Sequence, residues 1–165
     1  MSQRIKKKYY TASPRETKKV AADMARFFTA VREKHARALV VGLTGELGAG
    51  KTTFIQGFAR GLGITEKVVS PTFIIMKNFR APNKRSFTYF THIDCYRLSG
   101  PRDLAGLGLK NLIANSNVVV IIEWAEKIKR LLPPDTIWIH LEAPSPKKRK
   151  ITILGLTQTT KEVAI

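Results

Sequence analysis

Gly45-Glu46-Leu47-Gly48-Ala49-Gly50-Lys51-Thr52 fits the phosphate-loop pattern G-x-x-x-x-G-K-[ST] at every fixed position. The apolar run Ala38-Leu39-Val40-Val41-Gly42-Leu43 precedes it and predicts a buried strand. Phe54, Ile55, Phe58 and Leu62 follow at helical spacing. A strand, a glycine-rich turn and a helix are the setting in which this motif grips phosphate. Glycines admit backbone conformations closed to other residues, so successive N–H groups can converge on one anion. The helix that starts near Gly50 adds its positive end. Lys51 is placed to reach the outer phosphates, and the Thr52 hydroxyl is a hard-oxygen ligand for Mg²⁺.

Around this core the chain predicts one α/β domain. Its 165 residues, 44% of them hydrophobic, suffice for a single core. Ser13-Pro14-Arg15-Glu16 is a helix start, with Ser13 as N-cap, Pro14 at the first helical position and Glu16 closing a capping box. The helix is expected to run to about Lys34. Phe73 to about Phe79 and Phe87 to Asp94 predict an antiparallel hairpin about the Ala81-Pro82-Asn83-Lys84 turn. Val118 to Glu123 predicts a central strand, Ala125 to Leu131 a short helix, and Thr136 to Leu141 another strand. Lys150 to Leu156 predicts a final edge strand. The expected fold is therefore a phosphate-loop NTPase fold, with a mixed, mostly parallel sheet, an antiparallel hairpin and flanking helices. Residues 1–12 are expected to form a flexible basic arm, 13–156 the domain and 157–165 a tail.

Lys and Arg exceed Asp and Glu by 29 to 12, a formal net charge of +17. Either a polyanionic partner, with RNA the natural candidate, or a generally basic composition accounts for that excess. No aromatic-rich nucleic-acid platform is visible along the sequence. Cys95 is the single cysteine, which excludes an intrachain disulfide and favours a cytoplasmic setting. The longest apolar run, Val118 to Ile122, is too short to span a bilayer, and no membrane association is expected.

Two carboxylates stand where such a fold needs them. Asp94 ends the second hairpin strand and Glu123 ends the central one, at the open edge where α/β sheets bind ligands. Either can serve Mg²⁺ or position an attacking water. His92 is expected to be a packed or surface histidine rather than a general base. His35 and His140 lack metal-ligand spacing with each other or with Cys95. Trp124 either covers a nucleotide or packs beside the central strand. Asp103-Leu104-Ala105-Gly106 matches D-x-x-G only weakly. Asn83-Lys84-Arg85-Ser86 lacks the aspartate of a guanine-reading N-K-x-D. A small-molecule or nucleoside kinase is the alternative, although no lid-length insertion follows Glu123.

Four segments taken together are similar to the bacterial TsaE family. They are Gly45 to Thr53, Ser70-Pro71-Thr72-Phe73, His92-Ile93-Asp94-Cys95-Tyr96-Arg97-Leu98 and Ile122-Glu123-Trp124-Ala125-Glu126-Lys127. The resemblance covers roughly Ser13 to Leu154. It implies a slow, Mg²⁺-dependent ATPase of tRNA threonylcarbamoyladenosine biosynthesis. It also implies assembly with TsaB and TsaD, which transfer the threonylcarbamoyl group to adenosine 37 of tRNAs reading codons that begin with A. Carried over by motif, Glu46, Leu47, Gly48, Ala49, Gly50, Lys51, Thr52 and Thr53 line the nucleotide, with Trp124 and Arg149 nearby. Thr52, Asp94 and Glu123 serve the metal, and Lys51, Asp94 and Glu123 the chemistry. Ser70-Pro71-Thr72 resembles a switch loop near the γ-phosphate. The chain departs from the family pattern in three places. Glu46 stands where members often have Asp. Lys110-Asn111 stand where acidic residues usually follow. The basic arm has no family counterpart.

Overall fold

The computed structural model describes residues 5–31, 36–82, 87–104 and 106–156. In chain order they form β1 (Ile5–Thr11), α1 (Pro14–Ala30), β2 (Leu39–Thr44), α2 (Lys51–Gly61), β3 (Met76–Arg80), β4 (Tyr89–Asp94), α3 (Leu109–Ala114), β5 (Val118–Glu123), β6 (Ile137–Glu142) and β7 (Arg149–Leu156). Short 3-10 turns occupy Pro101–Leu104 and Ala125–Leu131. His35, the segment 83–86 and the tail from 157 onward lie outside the described residues.

The strands make one seven-stranded sheet in the order β1-β7-β6-β2-β5-β4-β3. Its centre is parallel: β2 pairs with both β5 and β6, and β4 pairs with β5. The flanking pairs β3/β4, β6/β7 and β1/β7 are antiparallel. Every residue of β5 is buried, as a strand covered on both faces must be. Odd-numbered β5 residues Val119 and Ile121 join the cluster under α1 and α2. Even-numbered Val118, Val120 and Ile122 join the cluster under α3 and the 3-10 turns.

Helix α1 starts as expected, with the Glu16 N–H donating to Ser13 Oγ at 3.2 Å. The Glu16 carboxylate accepts from Ala12 N at 2.8 Å, one residue before the cap. α1 lies directly against α2. A Cβ at Gly57 would sit 2.3 Å from the Lys18 carbonyl oxygen, and one at Gly61 2.4 Å from that of Ala22. Glycine is what permits this approach. Below it, Phe28, Phe58, Phe90 and Phe79 form a chain of ring contacts 5.8–6.4 Å apart.

Three sequence expectations change. The N-terminal arm is a strand from Ile5, laid antiparallel along β7. Tyr9 packs against the core and Thr11 is buried. The three lysines that precede Tyr9, Lys6 to Lys8, hide that alternation from a hydrophobicity scan. β7 is consequently not an edge, because β1 covers its outer side. The hairpin's first strand begins only at Met76, three residues after Phe73. Ile75 has φ 67°, its N–H bonds Pro71 O at 2.6 Å, and Met76 N bonds Ile74 O at 2.8 Å, so Pro71 to Ile75 is a closed turn.

Candidate nucleotide and metal site

The parallel strands all end at one edge of the sheet, and their register brings the site together. Glu123 pairs with Leu43 of β2 on one side and with Asp94 of β4 on the other. The phosphate loop therefore leaves β2 beside two carboxylates that are 29 residues apart in sequence. A cleft of about 440 Å³ opens there, within the usual size of a small-ligand site. Leu47, Gly48, Gly50, Lys51, Thr52 and Thr53 form its floor, and Asp94, Glu123, Trp124 and Arg149 line it as well.

The loop is built as its glycines require. Gly45 has φ 134°, and a Cβ there would lie 2.2 Å from the Leu141 carbonyl oxygen of β6. Gly50 caps α2 in the left-handed region, at φ 96°. Lys51, the first residue of α2, is only 5% exposed. Its ammonium donates to Gly45 O at 2.6 Å and Glu46 O at 2.8 Å, and lies 3.9 Å from the Trp124 ring centroid. Burial holds this ammonium below the usual lysine pKa, against the opposing pull of Glu123, Glu126, Asp94 and Glu46. Lys51 is thus a partly desolvated cation at the mouth of the loop.

Each carboxylate has its own partners. Thr52 Oγ1 donates toward both Glu123 oxygens, at 3.3 and 3.2 Å. His92 Nε2–H donates to Glu123 Oε1 at 2.9 Å, within the protein interior. His92 Nδ1 is buried without a hydrogen-bond partner among the described residues. Asp94 Oδ2 accepts from Ser70 Oγ and from Thr72 Oγ1, both at 2.7 Å, while Oδ1 accepts from Tyr96 N at 2.8 Å. The Ser-Pro-Thr loop is in this way tied to the strand end, and its tip leaves Phe73 82% exposed under the Arg97 guanidinium.

The donor chemistry fits a hard divalent cation. A threonine hydroxyl and two carboxylates are oxygen ligands, the set that Mg²⁺ shares with substrate phosphates. Among the described residues no three or more His, Cys, Asp or Glu group together as a protein-only metal cage would.

Most residues expected at the site reach the cleft. Glu46 and Ala49 do not line it: Glu46 points to solvent while its carbonyl holds Lys51, and the Ala49 methyl is buried at 1% exposure. Trp124 has φ 57°, which turns its ring from the end of β5 onto Lys51 and Tyr96, with 5.2 Å between the two ring centroids. Arg149 donates to the carbonyls of Ser145, Pro146 and Lys148 and reaches Gly48 O at 3.4 Å. Tyr96 lines the cleft, although its sequence position carried no role. Of the two places open to it, packed or surface, His92 takes the packed one, and it also grips Glu123. Only the strand register, with His92 opposite Ile121 two residues before Glu123, reveals that. The weak D-x-x-G match dissolves, because Asp103 Oδ2 accepts from Ser99 N and Gly100 N and closes its own turn.

Comparison with known proteins identifies the family and the fold. The profile of the family described as "Threonylcarbamoyl adenosine biosynthesis protein TsaE" matches residues 11–151. A tRNA threonylcarbamoyladenosine biosynthesis protein TsaE of Treponema pallidum is 38% identical over 81% of this chain and 94% of its own length. The Bacillus subtilis protein of the same name is 38% identical over 90% of this chain and 85% of its own. The crystal structure of Bacillus subtilis YdiB superposes with a TM-score of 0.72 at 30% identity, covering 98% of this chain and 93% of that one. The fold is the α/β, phosphate-loop NTPase type, and the chain belongs to the TsaE family.

Proposed function

We propose that this chain binds ATP with Mg²⁺ in the cleft, hydrolyses it slowly, and in doing so supports threonylcarbamoyl transfer to adenosine 37 of tRNAs reading A-starting codons. The observation that carries the proposal is the Glu123 carboxylate, held on the Thr52 hydroxyl at the exit of the phosphate loop with Asp94 beside it in register. Phosphate oxygens offer Lys51 a stronger, charge-assisted partner than the two loop carbonyls it now holds. Thr52 and Glu123, with Asp94 directly or through water, would hold Mg²⁺, which would neutralise phosphate charge. Asp94 also anchors Ser70 and Thr72, so a group that competes for its oxygens would release the Ser-Pro-Thr loop. That coupling makes the loop a switch, reporting nucleotide state to partners.

The partners proposed are TsaB and TsaD, and the setting the cytoplasm. Among the described residues no helix is long and apolar enough to cross a membrane. The decisive experiment has two arms. Thermal stabilisation by ATP–Mg²⁺ should be abolished in Lys51→Ala. Reconstitution with TsaB, TsaD, a threonylcarbamoyl donor and tRNA should yield multiple turnovers with wild type and none with Glu123→Ala. Acceptor-dependent phosphate transfer to a small molecule would replace this proposal with a kinase.

A further inference from the structure

Register across β1, β7 and β6 places an array of side chains on the sheet face opposite α1 and α2. Lys6 pairs with Leu154, and Leu154 with Trp138. Lys8 pairs with Thr152, and Thr152 with His140. Tyr10 pairs with Lys150, and Lys150 with Glu142. The intervening residues, Ile151 and Ile153 of β7 and Ile139 and Leu141 of β6, point into the core under α1 and α2, so these three rows share the other face. On that side α3 and the 3-10 turns cover β2, β4 and β5, and their apolar cluster extends only as far as Trp138. Beyond it Lys6 and Lys8 are exposed, Leu154 is 40% exposed and Tyr10 71%.

The charges on this face are unbalanced. Among the described residues of these three rows Glu142 is the one acid, and it is matched by Lys150 at 2.7 Å. Among the described residues neither Lys6 nor Lys8 has an ion-pair partner. Lys129 stands over the Trp138 ring at 5.8 Å and adds a third cation at the far corner. Two residues along a strand are about 6.7 Å apart and neighbouring strands about 4.8 Å. The array is therefore roughly 13 by 10 Å, with an aromatic ring at each of two opposite corners and lysines between. A strand surface that carries lysines, the exposed ring of Tyr10 and the half-buried ring of Trp138 shares the chemistry of sheet-borne single-strand readers, where rings stack bases and lysines take the phosphates.

We propose that the outer face of β1, β7 and β6 binds a single-stranded or looped RNA segment, with Lys6 and Lys8 on the phosphates and Tyr10 stacking a base. The net charge of +17 supplies the long-range attraction, and this face supplies a place for contact. Anionic lipid headgroups would attract the same lysines, and direct binding to vesicles against binding to RNA separates the two. The proposal does not depend on nucleotide binding in the cleft.

The test measures fluorescence anisotropy of a labelled twelve-nucleotide RNA of mixed sequence, across a salt series. Lys6→Glu/Lys8→Glu should weaken binding more than tenfold at low salt and reduce the log–log salt slope by about 1.4, or 0.7 per phosphate contact. Tyr10→Ala should weaken it roughly tenfold, within the range for one stacked base, and Tyr10→Phe should restore it. Lys51→Ala should bind RNA as the wild type does, which separates this proposal from the nucleotide site. A control, Lys67→Glu/Lys110→Glu, makes the same charge change elsewhere, and thermal melts check that each variant folds. An equal loss in the control, or no effect of Tyr10→Ala, overturns the proposal. So does binding confined to phosphatidylserine vesicles with none to RNA.

Discussion

Asp94 and Glu123 are register partners at the ends of adjacent parallel strands, yet their carboxylates hold different parts of the molecule. Glu123 holds the first turn of α2 through Thr52 and the neighbouring strand through His92. Asp94 holds the Ser-Pro-Thr loop. One acid is built into the floor of the cleft and the other into the wall that the Ser-Pro-Thr loop forms.

Replacing Glu123 should therefore separate charge from structure. Glu123→Gln keeps one oxygen acceptor, at the Oε1 position that both Thr52 and His92 reach, so it should melt within a few degrees of wild type. Its thermal shift with ATP should no longer respond to added Mg²⁺. Glu123→Ala strands the buried His92 Nε2–H, at a cost of about 1–3 kcal/mol. Calorimetric melts with ATP, in Mg²⁺ and in EDTA, check both. A Mg²⁺ response in Glu123→Gln equal to wild type would remove Glu123 from the metal site.

Lys51 should leave a signature in the pH dependence of stability. Its folded pKa lies below 10.5, chiefly because burial penalises the ammonium. The unfolded chain thus binds more protons between the lowered value and 10.5, and stability attributable to this group rises with pH there. The destabilisation is fully present below that window. Comparing melts of wild type and Lys51→Met from pH 7 to pH 10.5 should show wild type gaining relative to the variant. A constant difference would refute the assignment.

Cys95 is fully buried, and burial, reinforced by Asp94, pushes its thiol up to about 12. The thiolate is the reactive form, so a disulfide reagent should label native protein at pH 8 only as fast as the strand end opens. Labelling should become complete within minutes in denaturant. Rapid native labelling would mean that the end of β4 frays.

Gly57→Ala tests the α1–α2 contact. Helix propensity alone favours alanine by about 1 kcal/mol. The added methyl, however, would lie 2.3 Å from the Lys18 carbonyl, a backbone atom that cannot turn aside. Overpacking of this kind costs about 1–3 kcal/mol or more, so steric cost should win and the urea midpoint should fall. A raised midpoint would show that α1 shifts freely.

The parts legible in the sequence are those whose chemistry is local. The phosphate loop is a run of consecutive residues whose glycines and lysine act within a few ångströms of one another along the chain. The all-aliphatic run of β5 announces burial on both faces, and the acid that ends it stands at the open edge of any parallel sheet. Helix α1 was readable from its cap for the same reason.

What only the tertiary structure decided is pairing across distance. Ser70 and Thr72 meet Asp94, and His92 meets Glu123, because strand register chooses which of many possible donors each carboxylate receives. Lys6, Lys8 and Tyr10 read as a solvated arm until β7 supplies backbone partners for β1. A lysine-rich strand carries too little hydrophobic alternation to declare itself. Its conformation comes from hydrogen bonds to a segment almost the whole chain away.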